Sequence, residues 1–127
     1  MKLFHASIFL ALILLFAKTT HAAQIRLKGD DPNLVSVEFY GEIQPADFDA
    51  LRRLIEPRLA PNNSFRWFFL NSNGGDVATA MKIGRYIRML EFDTSINSNA
   101  RCLSSCVLIF AAGLNRNTTK NNIGIHR

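Results

Sequence analysis

Cysteine and histidine are scarce in this chain of 127 residues, which has two cysteines and three histidines. Cys102 and Cys106 alone are too few to supply the four ligands of a structural zinc site. Their Cys-x₃-Cys spacing also differs from the Cys-x-x-Cys pattern of redox motifs. The sequence therefore argues against metal or redox chemistry at these thiols, and we expect no metal and no other cofactor.

A hydrophobic run long enough to cross a membrane is also absent. The apolar stretch over residues 6–17 is shorter than the about 20 residues of a spanning helix. It follows Lys2 and precedes the small residues Ala22 and Ala23, which is the pattern of a secretory signal peptide. We expect residues 1–22 to be a signal peptide cleaved near Ala22 or Ala23, with an uncleaved anchor as the less favoured alternative. The mature protein would be periplasmic or secreted, without a stable membrane anchor.

A large excess of charge of one sign is lacking as well. The chain has 15 basic and 10 acidic residues, and removing a signal peptide that contains Lys2 and Lys18 leaves 13 basic residues and a net charge of +3. The basic residues are scattered, and no aromatic platform accompanies them. This favours a solvated helix face over a phosphate-binding stripe, and we expect no nucleic-acid partner.

The remaining sequence has the length and pattern of one α/β domain. It contains no internal repeat, and the 105 residues after the signal peptide are too few for two domains. Residues 23–33 form a polar lead-in to a domain over residues 34–127. Within it, strands and helices are expected to alternate over residues 35–40, 45–59, 65–70, 76–90, 94–96, 103–112 and 123–126. Such alternation is typical of a mainly parallel sheet.

Two of these elements carry more specific expectations. The nearly all-apolar run from Phe65 to Leu70 is typical of a strand that is buried on both faces of a parallel sheet. Asp76 stands directly before the next helix and is expected to be its N-cap. Active sites of parallel α/β folds lie at the carboxyl ends of strands, and the candidate residues occupy such junctions.

Two glycines, two serines and one histidine are the candidates for a site. The amides of Gly74 and Gly75 could face a pocket, although a Gly-Gly pair more often reflects plain turn chemistry. Ser104 and Ser105 precede an apolar helix, so each could be its N-cap or a nucleophile. His126 is the only histidine outside the signal peptide and its cleavage site, and it is the best available general base. A structural or solvated histidine is the alternative.

Cys102 and Cys106 flank these serines. In an exported protein they are expected to be oxidised together, because residues one helical turn apart fall near the ~4.4–6.8 Å Cα separation of disulfides. Buried free thiols are the alternative.

The candidate residues resemble a known family. Residues 70–80 (Leu-Asn-Ser-Asn-Gly-Gly-Asp-Val-Ala-Thr-Ala) resemble the Ile-Asn-Ser-Pro-Gly-Gly turn and following helix of the proteolytic subunit of Clp protease, in the Clp protease/crotonase superfamily. Ser104 follows Gly75 by 29 residues, the interval at which that family places its nucleophile. The apolar run over residues 108–113 and the Ile-His pair at 125–126 are similar to the family's next helix and histidine strand.

The resemblance implies a Clp-protease/crotonase-like α/β fold over residues 34–127 and serine-hydrolase chemistry on a peptide or protein substrate. Ser104 would be the nucleophile and His126 the base, and the backbone N–H groups of Gly75 and Ser105 would form the oxyanion hole. Family members usually assemble into rings, which leaves a homo-oligomer open. They also work with an ATP-driven unfoldase, which we do not expect for an exported chain without access to ATP.

The sequence also departs from the family pattern. Asn73 replaces a proline in the turn, and Ser105-Cys106 replace Met-Gly after the nucleophile. The family's aspartate, which orients the imidazole, lies on a strand well after the histidine, so we expect this chain to be C-terminally incomplete and weak or inactive as given. A non-catalytic secreted α/β domain or gene fragment is the main alternative, and crotonase-type acyl-thioester chemistry is a less favoured one.

Overall fold

A computed structural model describes residues 21–125. Its strands are β1 (Gln24–Leu27), β2 (Leu34–Tyr40), β3 (Phe65–Asn71), β4 (Asp93–Ile96), β5 (Cys102–Leu103), β6 (Arg116–Thr118) and β7 (Ile123–Gly124). Its helices are α1 (Asp47–Ile55), extended by a 3-10 turn over Glu56–Arg58, α2 (Val77–Met89) and α3 (Cys106–Ala112). None of the helices in this part of the chain is long and apolar enough to cross a membrane.

The main sheet has five strands in the order β1-β2-β3-β4-β6. Strand β1 is antiparallel to β2, and the other neighbours in this sheet are parallel. A separate small sheet pairs β5 with β7 in parallel. The predicted α/β class with a mainly parallel sheet is therefore confirmed.

The helices cover one face of the main sheet. The chain steps from β2 through α1 to β3, through α2 to β4 and through α3 to β6, always in the same direction across the sheet. Crossovers of this kind are right-handed, which places successive helices on the same side. The core lies between the two layers and includes Val35, Val37, Phe39, Leu51, Ile55, Phe68, Leu70, Ile83, Ile87 and Ile109.

The opposite face of β3 is only partly covered. Phe65 is 63% exposed, and Trp67 and Phe69 are half-buried, whereas Phe68 and Leu70 on the helical side are fully buried. The expectation that residues 65–70 are buried on both faces is therefore wrong for this side, because no helix in residues 21–125 lies over it. The rings of Trp67 and Phe69 stack on each other with centroids 6.0 Å apart.

Three short strands add to the expected pattern. Strand β1 lies in the segment expected to be a polar lead-in, β5 occupies the start of the helix expected over 103–112, and β6 lies in a polar segment without strand periodicity. Each has two to four residues, too few for a hydrophobic period to emerge. Their hydrogen-bonding partners lie elsewhere in the sequence, so these strands depend on tertiary pairing.

Candidate functional site

The Asn73-Gly74-Gly75 turn connects β3 to α2 and is held from both sides. The Gly74 amide donates to the hydroxyl of the buried Ser72 at 3.1 Å. Ile43 N–H donates to the Gly74 carbonyl, and Asp76 N–H donates to the Ile43 carbonyl, both at 2.9 Å. Gly75 has φ +142°, and a Cβ there would overlap the Ile43 carbonyl. Only glycine fits this position.

The predicted N-cap of α2 is confirmed. The Asp76 carboxylate accepts hydrogen bonds from the backbone N–H of Thr79 at 2.9 Å and from its hydroxyl at 2.6 Å. The hydroxyl and then the backbone hydrogen bond lower the pKa of Asp76. The carboxylate thereby fixes the direction in which α2 leaves the glycine turn.

The glycine turn and the Ser104 segment are in direct contact, although they are about 30 residues apart in the sequence. Gly74 has φ +104°, and a Cβ on it would lie 2.8 Å from the Ser104 Cβ and 3.2 Å from the Ser105 nitrogen. Backbone hydrogen bonds extend the contact: Ser72 N–H donates to the Arg101 carbonyl at 2.8 Å, and Leu103 N–H donates to the Ser72 carbonyl at 3.0 Å. The fold therefore brings the two sequence motifs together.

Ser104 has an unusual backbone conformation. Its φ of +54° lies in the left-handed region, which serine rarely adopts. It occupies the sharp turn between β5 and α3, and its N–H donates to the Gly124 carbonyl at 2.8 Å. Its half-buried hydroxyl makes no hydrogen bond to any group within residues 21–125.

Ser105 differs from its neighbour because its hydroxyl is engaged. The side chain is buried, and Oγ donates to the Gly75 carbonyl at 3.0 Å. Ser105 also occupies the N-cap position of α3, but its side chain makes no capping hydrogen bond. The Ser105 hydroxyl therefore links the two loops, and the alternative in which it caps the helix does not hold.

Two backbone amides remain without an acceptor where these loops meet. Gly75 N–H and Ser105 N–H donate to no group within residues 21–125. The Ser105-to-Gly75 hydrogen bond holds their residues together. Two such donors could stabilise a negatively charged oxygen.

His126 lies outside the described residues, but the strand that leads to it is described. In the small sheet, Cys102 is paired with Ile123 and Leu103 with Gly124. The chain immediately before His126 therefore runs along the segment that contains Ser104.

A disulfide joins Cys102 to Cys106 around the two serines. Both cysteines are fully buried, and their Cα atoms are 5.3 Å apart. The bond connects β5 to the first residue of α3. Structural disulfides persist in oxidising compartments, so this bond is compatible with a location outside the cytoplasm.

A cleft of about 280 Å³ opens beside the glycine turn, at the carboxyl ends of β2 and β3. Its lining residues are Tyr40, Gly41, Glu42, Asn71, Ser72, Asn73, Gly74, Gly75 and Arg101. Ser104 does not line it. The sequence assigned no role to Tyr40 or Glu42, and the only available signal was that Tyr40 ends β2 and Glu42 follows it by two residues.

Within residues 21–125, no three His, Cys, Asp or Glu side chains cluster as a metal site would require. No protein-family model and no curated protein matches the chain.

Proposed function

We propose that this chain is an exported serine hydrolase of the Clp protease/crotonase superfamily, which cleaves peptides through an acyl-enzyme at Ser104. The observation that carries the proposal is the left-handed Ser104 at a strand-to-helix turn packed against Gly74. Strained turns of this kind are typical of positions where a nucleophile is exposed to its substrate. Within residues 21–125 the Ser104 hydroxyl has no hydrogen-bond partner, whereas the Ser105 hydroxyl is engaged, which favours Ser104 for this role.

In this reaction, Ser104 Oγ attacks the carbonyl carbon of the peptide bond while His126 removes its proton. The tetrahedral oxyanion then accepts hydrogen bonds from the N–H groups of Gly75 and Ser105. Collapse of the intermediate expels the amine, which takes the proton from His126, and water hydrolyses the ester by the reverse sequence. The unclaimed Gly75 and Ser105 amides, and the pairing of β7 with β5, support these assignments.

The orienting acid of the family would come from a strand after His126. Loss of the corresponding aspartate in a serine protease reduces turnover by about 10⁴-fold. A reagent that acylates or phosphonylates the serine once is therefore a more sensitive test of the site than peptide turnover.

A fluorophosphonate probe tests the nucleophile on the purified chain. We expect labelling of the native protein, retention of labelling in Ser98→Ala, which alters an exposed loop serine, and complete loss in Ser104→Ala. Ser105→Ala should label more slowly, because it loses the bond that holds the Gly75 carbonyl.

Two results would contradict the proposal. Failure of the folded native protein to react would favour a non-catalytic α/β domain. Loss of labelling in Ser105→Ala, with normal labelling of Ser104→Ala, would assign the nucleophile to Ser105.

A further inference from the structure

The outer face of α2 carries cations and exposed apolar side chains. Lys82, Arg85 and Arg88 lie along this helix, and neither Asp nor Glu occurs within Val77–Met89. None of the three cations forms an ion pair with a group of residues 21–125. Met81 is exposed and lies on the same face as Arg85 and Arg88. Over its length, the helix therefore presents charge of one sign beside apolar surface.

Two arginines from different elements meet at the carboxyl end of α3. Arg88 Nη1 donates to the Gly113 carbonyl at 3.1 Å, and Arg116 Nη1 donates to the same oxygen at 2.8 Å. One arginine that caps a helix terminus is ordinary, but two guanidinium groups at one carbonyl repel each other. Glu91, which follows α2, and Asp93, which starts β4, form no ion pair with either arginine. The two positive charges therefore have no counter-charge within residues 21–125.

An apolar groove adjoins this arginine pair. Helices α2 and α3 approach closely there, because a Cβ on Gly84 would lie 3.2 Å from the Leu108 carbonyl. Leu108 and Leu114 are both exposed, so the apolar surface continues beyond the groove. The groove has a volume of about 260 Å³ and is lined by Met81, Gly84, Arg85, Arg88, Leu108 and Ala112.

An anionic bilayer surface matches the chemistry of this side of the molecule. Guanidinium groups bind phosphate oxygens in bidentate fashion, and exposed apolar side chains beside them can lie at the boundary between headgroups and acyl chains. Clusters of Lys and Arg on an amphipathic helix are typical of contact with anionic lipids. The sequence alone favoured a solvated helix face, because it could not show that Arg116 reaches the same carbonyl as Arg88.

We propose that the surface formed by α2, α3 and residues 114–116, here called the basic face, docks reversibly on a bilayer that contains anionic phospholipid. Arg88 and Arg116 hold a lipid phosphate between them, and Met81 and Leu108 insert among the upper parts of the acyl chains. The phosphate supplies the counter-charge of the arginine pair. Binding of this kind is peripheral and involves no spanning helix. It makes no use of the serine site and is independent of the proposed hydrolase.

The test measures binding to vesicles that can be sedimented. The full chain is expressed in a bacterium that exports it, and the purified product is mixed with vesicles of phosphatidylcholine alone or with about 30% phosphatidylglycerol. The bound fraction gives a partition coefficient for each composition. Residues 1–20 are the same in every variant, so any contribution of this apolar segment is common to all of them.

The charge variant is Arg88→Gln/Arg116→Gln. Its matched control is Arg26→Gln/Lys28→Gln, which removes two charges from the opposite side of the main sheet, where Lys28 lies over the Phe69 ring. We expect the native protein to bind the anionic vesicles at least about tenfold more strongly than the neutral ones, and high salt to weaken this binding. The charge variant should lose at least about tenfold in binding to the anionic vesicles, whereas its control should bind as the native protein does.

The apolar variant is Met81→Gln/Leu108→Gln, and its matched control is Phe65→Gln on the opposite side of the main sheet. We expect the apolar variant to bind the anionic vesicles at least about threefold more weakly than the native protein, because it loses side chains that insert among the lipids. Phe65→Gln should not change the binding. Unchanged binding of the folded apolar variant would overturn the insertion of this face.

Two further results would overturn the proposal. One is equal binding of the native protein to neutral and anionic vesicles, or no binding to either, and this result decides even if Arg88→Gln/Arg116→Gln does not fold. The other is an equal loss in the charge variant and its control, which would assign the binding to net charge and not to the arginine pair. Ser104→Ala should bind as the native protein does, so failure of this proposal is distinguishable from failure of the hydrolase assignment.

Discussion

At the scale of single residues, the glycine turn has its shape because two backbone segments leave no room for side chains. Gly75 pairs with Ile43 so closely that a Cβ would overlap the Ile43 carbonyl. Gly74 meets Ser104 in a similar way. These contacts are backbone packing between distant parts of the chain, so each glycine is required both by its positive φ and by its neighbour.

Gly75→Ala should therefore be strongly destabilising. We expect the free energy of unfolding to fall by about 3 kcal/mol, because the Cβ adds a backbone clash to an unfavourable φ. Gly29→Ala is the matched control, since Gly29 also has a positive φ of +79° but has open space around it, and it should cost about 1 kcal/mol. Urea unfolding measures both values. Equal losses would show that the conformation, and not the contact with Ile43, requires glycine at position 75.

At the scale of elements, the disulfide fixes the junction between β5 and α3. The bond spans a sequence separation of four and encloses Ser104 and Ser105. Chain-entropy estimates for so short a loop give about 2 kcal/mol of stabilisation. The constraint acts on the segment that holds the left-handed Ser104, so in the proposed hydrolase it would affect the reactivity of this serine as well as the stability of the fold.

Reduction of the disulfide should lower the free energy of unfolding by about 2 kcal/mol and slow fluorophosphonate labelling. Urea unfolding and labelling rates, with and without a thiol reductant, measure the two effects. The double variant Cys102→Ala/Cys106→Ala is the control, because it should not respond to the reductant. A native protein whose labelling and stability are unchanged by complete reduction would contradict this role.

The sequence predicted those elements whose determinants are local. The strand over 35–40 and the helix that Asp76 caps follow from period and capping, and both are present. The short strand β5 could not be predicted, because its hydrogen bonds come from residues about 20 positions away. The left-handed conformation of Ser104 and the hydrogen bond of the Ser105 hydroxyl could not be predicted either, since both depend on contacts with the glycine turn.

At the scale of the whole molecule, the candidate site lies between two sheets whose strands are paired over very different lengths. Strand β3 is central in the main sheet and is paired over seven residues with β2 and over three with β4. Strand β7 is paired only with β5, over two residues. The glycine turn therefore extends from a strand that is paired on both sides, whereas the chain leading to His126 extends from a much weaker pair.

Hydrogen exchange should detect this difference in pairing between β3 and the β5–β7 pair. It should also show how the β5–β7 pair responds when a phosphonyl group is attached to Ser104. Amides of β3 should exchange only through global opening, whereas the amides of Cys102 and Ser104, which donate to the Asn122 and Gly124 carbonyls, should exchange through local opening. A phosphonyl group on Ser104 would accept hydrogen bonds from the loop amides and favour the closed arrangement. We therefore expect exchange at these two amides to slow by at least about tenfold after labelling, with β3 unchanged.

The control is Ser104→Ala treated with the same probe, in which exchange should not change. The expectation of a weak pair would be contradicted if the Cys102 and Ser104 amides of the unlabelled protein already exchanged as slowly as those of β3. If the Cys102 and Ser104 amides exchange quickly in the unlabelled protein and their exchange rates do not fall after labelling, the phosphonyl group does not contact the amides of this loop. The Gly75 and Ser105 N–H groups would then not be the oxyanion hole, because a group bound there must stabilise the junction that presents both donors.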